Sequence, residues 1–82
     1  MYYKPLDSKS NFLIKKKVFI PTATSELLIE ASKKIIKNKK KILDLGCGSG
    51  VVGISIAKSL KTKQKIFFSD ISREACENTK FN

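Results

Sequence analysis

An α/β fold with a parallel sheet is the architecture that this 82-residue sequence predicts. Two short apolar runs, at 42–45 and 66–69, have the length and composition of buried strands. A glycine-rich turn follows the first run, and helix-forming segments precede, separate and follow the two runs. Strands that alternate with helices are typical of parallel sheets with right-handed crossovers. The predicted order is therefore helix, strand, glycine loop, helix, strand, helix.

The first predicted helix covers residues 25–36. Thr24 precedes it and has a side chain suited to capping a helix amino terminus. Leu28, Ala31 and Ile35 recur at helical spacing, so we expect them to form the apolar stripe that packs on the rest of the domain.

The remaining chain divides into a lead-in and a domain. Residues 1–17 form a polar amino-terminal lead-in without clear periodicity, and residues 18–82 are assigned to the domain. Within that domain a second helix is expected over 51–60, and Ser72 can cap a third.

Composition and length limit the class of protein. Hydrophobic residues make up 41% and charged residues 29% of the chain, which is typical of a globular domain. The chain has neither an apolar run of about 18 residues nor a recognisable signal peptide, so we expect no membrane association. Cys47 and Cys76 match no metal-binding or redox spacing. We therefore expect free thiols in a reducing cytoplasm and no metal site.

The net charge of +10, from 17 basic and 7 acidic residues, has two interpretations. It could attract phosphate backbones and bring the chain close to RNA or the ribosome. Alternatively, the lysines simply solvate the surface. Lysine gives no bidentate base readout and the aromatic residues are not interleaved with the basic runs, which favours the second interpretation.

The turn after the first strand is the candidate ligand site. Gly46, Gly48 and Gly50 have no Cβ, so the turn can be tight and a ligand can touch its backbone. Asp44 lies inside the first strand, and Asp70 ends the second. Parallel sheets bind ligands at the carboxyl ends of their strands, where the turn and both acids fall.

Two nucleotide cofactors compete for this site. Residues 48–53 also read G-x-G-x-x-G, a pattern of dinucleotide-binding domains. However, Asp44 would repel a pyrophosphate, whereas a ligand ammonium group would compensate its buried charge. S-adenosyl-L-methionine has such a group, a ribose for Asp70 and no phosphate, so we expect this cofactor rather than NAD.

Two motifs resemble those of class I, Rossmann-like methyltransferases: LDLGCGSG at 43–50 and FSDIS at 68–72. Within that superfamily, Ile20-Pro21, ELLIE at 26–30 and the stretch 44–57 are similar to the HemK-type family, which methylates a glutamine amide in peptide chain release factors. The resemblance covers about residues 18–82. It implies a partial Rossmann-like parallel sheet in an incomplete methyltransferase domain.

This resemblance implies a cofactor-binding set that consists of Asp44, Gly46, Cys47, Gly48, Gly50, Asp70 and Ile71. It implies no catalytic residue here, because the Asn-Pro-Pro-Tyr motif with which the family holds the acceptor nitrogen is not in these residues. The family's usual Arg-Pro-Glu-Thr is replaced by TATS at 22–25, which leaves the substrate-side role of that loop open.

Structural roles remain alternatives at several of these positions. Asp44 could bond loop N–H groups, Asp70 could cap a helix, and Ile71 could pack in the core instead of against adenine. Cys47 is expected to be a small packing residue rather than a nucleophile, because the chain has no histidine to activate it.

Three functions are consistent with the sequence. The first is an S-adenosylmethionine-dependent N-methyltransferase whose substrate and partner is a release factor. The second is an RNA base N-methyltransferase, which the charge would suit, and the third is a truncated, non-catalytic cofactor-binding fragment. Two strands leave a sheet edge open, and we expect that edge to pair with missing strands or another chain.

Overall fold

The computed structural model describes residues 1–6, 8–60 and 64–82. Over these ranges the elements are β1 (Tyr2–Tyr3), β2 (Phe12–Leu13), α1 (Ala23–Ile36), β3 (Lys41–Leu45), α2 (Val51–Ser59), β4 (Lys65–Ser69) and α3 (Arg73–Phe81). The predicted α/β order from α1 to α3 is confirmed. No helix in the described ranges combines the length and the apolar content needed to cross a bilayer.

Strands β3 and β4 form the parallel pair that positions the candidate site. Ile42 lies opposite Ile66, and Leu45 lies opposite Ser69. Helix α2 is the crossover between the two strands. Because the strands run in the same direction and in matched register, their carboxyl ends lie side by side.

The two faces of this sheet have different environments. Ile42, Asp44, Ile66 and Phe68 are half-buried and alternate with exposed residues. A Cβ built on Gly53 of α2 would collide with the Phe68 ring and the Asp44 carboxylate, so α2 packs against this face. The opposite face is exposed to solvent.

The amino-terminal segment (residues 1–6 and 8–17 as described) contributes a strand pair and core side chains, whereas the sequence predicts only a polar lead-in. Strands β1 and β2 pair antiparallel, with Tyr3 opposite Phe12. Phe12 and Ile14 are buried in the core together with Ile29, Val51 and Ile56. A strand of two residues is too short to show a period, which explains why the pattern was not visible in the sequence.

Two amide side chains, of buried Asn78 on α3 and of Asn82 at the C-cap of this helix, hold this amino-terminal segment in place. The Asn78 amide donates to the Leu13 carbonyl at 2.7 Å, and its oxygen accepts the Lys15 N–H at 2.8 Å. The Asn82 oxygen accepts the Leu13 N–H at 2.9 Å. These bonds satisfy backbone groups of Leu13 and Lys15 with side chains from near the carboxyl end of the chain.

Helix α1 differs from its sequence prediction in its start and its buried side. It begins at Ala23, and Thr22 rather than Thr24 is the N-cap residue. Its buried side chain is Ile29, whereas all three residues of the predicted stripe, Leu28, Ala31 and Ile35, are exposed. The helix carries apolar residues on two sides, and α2 packs against the side that bears Ile29.

Candidate functional site

A cavity of about 410 Å³ opens at the carboxyl ends of β3 and β4. Its volume lies in the range of small-molecule sites. The polar and glycine residues around it include Lys17, Asp44, Gly46, Gly48 and Asp70. The structure therefore brings both predicted acids and most of the predicted glycine loop to one cavity.

The glycine loop, residues 46–50, is anchored to the end of β4. The N–H groups of Gly46 and Cys47 both donate to the Ser69 carbonyl, at 2.7 and 2.9 Å. Gly46 and Gly48 have φ values of 72° and 56°, and a Cβ at either position would have nothing within 4 Å. The loop thus presents bare backbone to open space, where a ligand could make contact.

Asp70 joins this loop to the start of α3. One carboxylate oxygen accepts the Gly48 N–H and the other accepts the Ser72 N–H, both at 2.9 Å. The Ser72 bond and then the Gly48 bond lower the pKa of Asp70, because both stabilise the ionised form. Each oxygen has a further lone pair, so the carboxylate can still accept hydroxyl donors.

Asp44 is a half-buried carboxylate at the inner side of the cavity. One of its oxygens accepts the Gly53 N–H of α2 at 3.0 Å. Burial raises the pKa of Asp44; the Gly53 bond acts in the opposite direction, and the negative charge of Asp70 adds to the increase. Among the described residues Asp44 has no salt-bridge partner, so a cationic ligand group would relieve its unfavourable environment.

The sequence comparisons agree with this geometry. The methyltransferase small domain family matches residues 8–82. The chain belongs to that family. It is 43% identical over 74 residues to a release factor glutamine methyltransferase of Clostridium botulinum, which covers 88% of this chain and 26% of the relative. A second enzyme of that name, from Dictyoglomus turgidum, is 41% identical over 71 residues, or 84% of this chain and 25% of the relative.

A relative of a different name matches the methyltransferase small domain as well. Ribosomal RNA small subunit methyltransferase C of Actinobacillus pleuropneumoniae is 39% identical over 56 residues, or 68% of this chain and 17% of the relative. The resemblance to class I methyltransferases is thereby confirmed. The chain spans about a quarter of the length of the release factor methyltransferases that it matches.

Cys47 occupies a packing position in this methyltransferase small domain. It is buried, and burial raises the pKa of its thiol, which therefore stays protonated at neutral pH. The Thr79 hydroxyl lies 3.2 Å from the Cys47 sulfur and 2.9 Å from the Gly48 carbonyl oxygen. The thiol has the environment of a small core side chain and not that of a nucleophile.

Two residues of the predicted set lie away from the cavity lining. Gly50 is the N-cap residue of α2, where an added Cβ would press against Thr79. Ile71 is fully exposed, so the core-packing alternative for it is wrong. Contact of Ile71 with adenine stays a prediction.

Sequence reasoning missed the support that α3 gives to the loop. Thr79 contacts the Gly48 carbonyl, and the Asn82 amide donates to the Ser49 carbonyl at 2.9 Å. The available signal was a run of polar residues, 78, 79 and 82, on one side of a short helix. Two of these, Asn78 and Thr79, are buried, and buried polar residues need partners.

Proposed function

We propose that this methyltransferase small domain binds S-adenosyl-L-methionine and is the cofactor-binding part of a cytoplasmic N-methyltransferase. The acceptor that we propose is a glutamine side chain of a peptide chain release factor. One observation carries the proposal: a half-buried carboxylate without an ion-pair partner in the described ranges, Asp44, lines the same cavity as the open glycine loop.

The residues of the cavity fit this cofactor better than a dinucleotide. A pyrophosphate beside Asp44 and Asp70 would meet two negative charges, which is electrostatically unfavourable. An α-ammonium group beside Asp44 would instead compensate one of them. The open space at Gly46 and Gly48 allows a ligand to reach the loop backbone.

Asp70 supports the proposal through its hydrogen-bonding capacity. Its bonds to Gly48 and Ser72 fix the carboxylate at the cavity, and its remaining lone pairs can accept ribose hydroxyls. When bound, S-adenosylmethionine would supply a methyl group on a sulfonium centre. The part that we assign to these residues is to hold and orient the ligand and to exclude water.

The choice of acceptor rests on the relatives. Enzymes named release factor glutamine methyltransferase match over 84–88% of this chain at 41–43% identity. The second candidate is an RNA base, which is supported by the ribosomal RNA relative and by the charge of +10. An amide nitrogen and an exocyclic base nitrogen are similar acceptors, so the same cavity would serve both.

Calorimetric titration of the 82-residue chain with S-adenosylmethionine and with NAD tests the cofactor. We expect binding of the first and none of the second. Asp70→Ala should weaken the affinity about tenfold or more through lost hydrogen bonds. Asp44→Asn should also weaken it. The matched control is Glu77→Gln, because Glu77 is an exposed acid on α3 and should leave the affinity unchanged. Binding of NAD alone would contradict the proposal.

A methyl-transfer assay tests the acceptor. The chain is incubated with S-adenosylmethionine labelled in its methyl group and with either purified release factor or 16S ribosomal RNA. Label in a release factor glutamine supports the first candidate, and label in RNA selects the second. Label in neither, with cofactor binding intact, reduces the function of these residues to that of a cofactor-binding fragment.

A further inference from the structure

Lys17 occupies the third position of a tight turn beside the cavity at the glycine loop. The Val18 N–H donates to the Lys15 carbonyl at 3.2 Å, which closes a β-turn over residues 15–18. Lys17 has a φ of 67°, and no other non-glycine residue of the described ranges has a positive φ. Glycine or asparagine is the usual residue at such a position, because most side chains are strained there. A lysine therefore has a conformational cost that the turn itself does not require.

Packing on both sides of this turn fixes its position. Ile14 and Val18 are buried, and the Lys15 N–H donates to the Asn78 amide oxygen on α3 at 2.8 Å. The backbone of Lys17 is therefore held in place, while the residue is exposed and lines the cavity. Backbone strain persists where the surrounding structure imposes it, and it is concentrated at ligand sites. The position of this strained residue thus indicates a role in binding.

Lys17 also supplies the positive charge of the cavity lining. No other lysine or arginine of the described ranges lines this cavity, whereas Asp44 and Asp70 both do. Neither of the ion pairs within these ranges includes Lys17. Its ammonium group is therefore available to an anionic group of a ligand in the cavity.

The cofactor of the proposed function has an anionic group that this lysine fits. The amino-acid part of S-adenosylmethionine bears an ammonium group and a carboxylate on the same carbon atom. With the ammonium group beside Asp44, the carboxylate meets the negative charges of Asp44 and Asp70 unless a cation lies next to it. Lysine has a flexible four-carbon stem with three N–H donors at its end, so it can reach such a group from the edge of a cavity.

We propose that Lys17 is a specificity-determining residue that binds the α-carboxylate of the cofactor. Asp44 and Lys17 together then select a ligand with adjacent ammonium and carboxylate groups. This inference rests on the proposed function, because it assigns one contact of the same cofactor. A charge effect without contact has the opposite sign: S-adenosylmethionine has more positive than negative groups, so a lysine that did not touch the carboxylate would repel the ligand.

Calorimetric titration with S-adenosylmethionine and with its decarboxylated form tests this contact, because the two ligands differ only in the carboxylate. Lys17→Gln should bind S-adenosylmethionine about five- to tenfold more weakly than the native chain does. Its affinity for the decarboxylated form should equal or exceed that of the native chain. The matched control is Lys16→Gln, because Lys16 is an exposed lysine of the same turn that does not line the cavity. This control should leave both affinities unchanged.

Lys17→Gly separates the role of the side chain from that of the turn. Glycine relieves the strain at positive φ, so the urea midpoint should rise while the affinity for S-adenosylmethionine falls as in Lys17→Gln. Native affinity for S-adenosylmethionine in either variant, or an equal loss for both ligands, would overturn the assignment of Lys17 and leave the proposed function in place. An equal loss in Lys16→Gln would overturn it as well. No binding of S-adenosylmethionine to the native chain would overturn both proposals.

Discussion

The glycine loop (46–50) and the amino-terminal segment (residues 1–6 and 8–17 as described) are supported by the same helix in different ways. The loop takes its path from residues of positive φ, and its backbone faces a cavity. The amino-terminal segment takes its path from buried side chains and from amides on α3 that are distant in the sequence. The comparison shows that local backbone chemistry defines the site, while long-range packing supports it.

Asn82 links these two regions directly. Its amide nitrogen lies 2.9 Å from the carbonyl oxygens of both Leu13 and Ser49. One side chain at the end of α3 thus contacts the amino-terminal segment and the glycine loop. A change that loosens the segment should therefore reach the loop through this helix.

The largest expected loss of stability comes from a substitution in the amino-terminal segment, Phe12→Ala. Phe12 is only 2% exposed, so Phe12→Ala should lower the free energy of unfolding by about 3–4 kcal/mol through lost burial and a residual cavity. Urea denaturation followed by circular dichroism measures the loss. Phe19→Ala is the matched control, since Phe19 is largely exposed and its change should cost less than about 0.5 kcal/mol. Equal losses in the two variants would show that the segment does not belong to the core.

The next substitution, Asn78→Ala, tests how much α3 stabilises the amino-terminal segment. Asn78→Ala leaves the Leu13 carbonyl and the Lys15 N–H without their side-chain partner. Because unsatisfied buried polar groups are costly, we expect a loss of about 2–3 kcal/mol in the free energy of unfolding. Asn38→Ala, at an exposed position, should change it little. A small effect at Asn78 would mean that water replaces the amide at no cost.

Within the glycine loop, two positions should respond differently to the same substitution. Gly50 has φ of 86°, and an added Cβ would lie 2.9 Å from the Thr79 methyl group, so Gly50→Ala should cost about 2 kcal/mol. Gly46→Ala meets no protein atom within 4 Å and should cost about 1 kcal/mol. Its larger effect should be on cofactor affinity in calorimetry. The reverse pattern would place the ligand on the Thr79 side of the loop.

The parts of the fold that were predictable from the sequence are those with local causes. Asp44 interrupts an apolar strand, and the glycines and Asp70 follow directly after strands, so these features are visible in a single sequence. The buried side of α1 was not predictable in this way, because both Leu28 and Ile29 suit a helix and only packing on α2 selects Ile29. The β1–β2 pair depends on bonds to Asn78 and Asn82, more than 60 residues away in the sequence.

The role of Gly50 illustrates the same limit within the candidate site. Gly46, Gly48 and Gly50 alternate along the sequence, and nothing in the sequence alone distinguishes their roles. Their surroundings are not equivalent: the first two face open space, whereas Gly50 packs against Thr79 of α3. A pattern of glycines predicts a loop that can approach a ligand, but the tertiary structure decides which of them do so.

The last prediction concerns Asp44→Asn, which should raise the stability of the chain while it weakens cofactor binding. Burial raises the pKa of Asp44 above its ordinary value of 3.8, so the folded chain holds this proton more tightly than the unfolded chain does. The contribution of Asp44 to stability is therefore full below that value and is lost as the pH rises through the folded-state pKa. Asp44→Asn has no charge to bury, and its oxygen can still accept the Gly53 N–H.

We accordingly expect the Asp44→Asn variant to be more stable than the native chain near neutral pH. The difference in free energy of unfolding should disappear in acid, and urea denaturation at several pH values measures it. S-adenosylmethionine at a fixed concentration should stabilise the native chain more than the variant, because only the native chain would keep the counter-charge for the ligand. A variant that is less stable than the native chain at neutral pH would show that Asp44 is a structural carboxylate, which holds α2 on β3 through the Gly53 N–H as Phe12 holds the amino-terminal segment in the core.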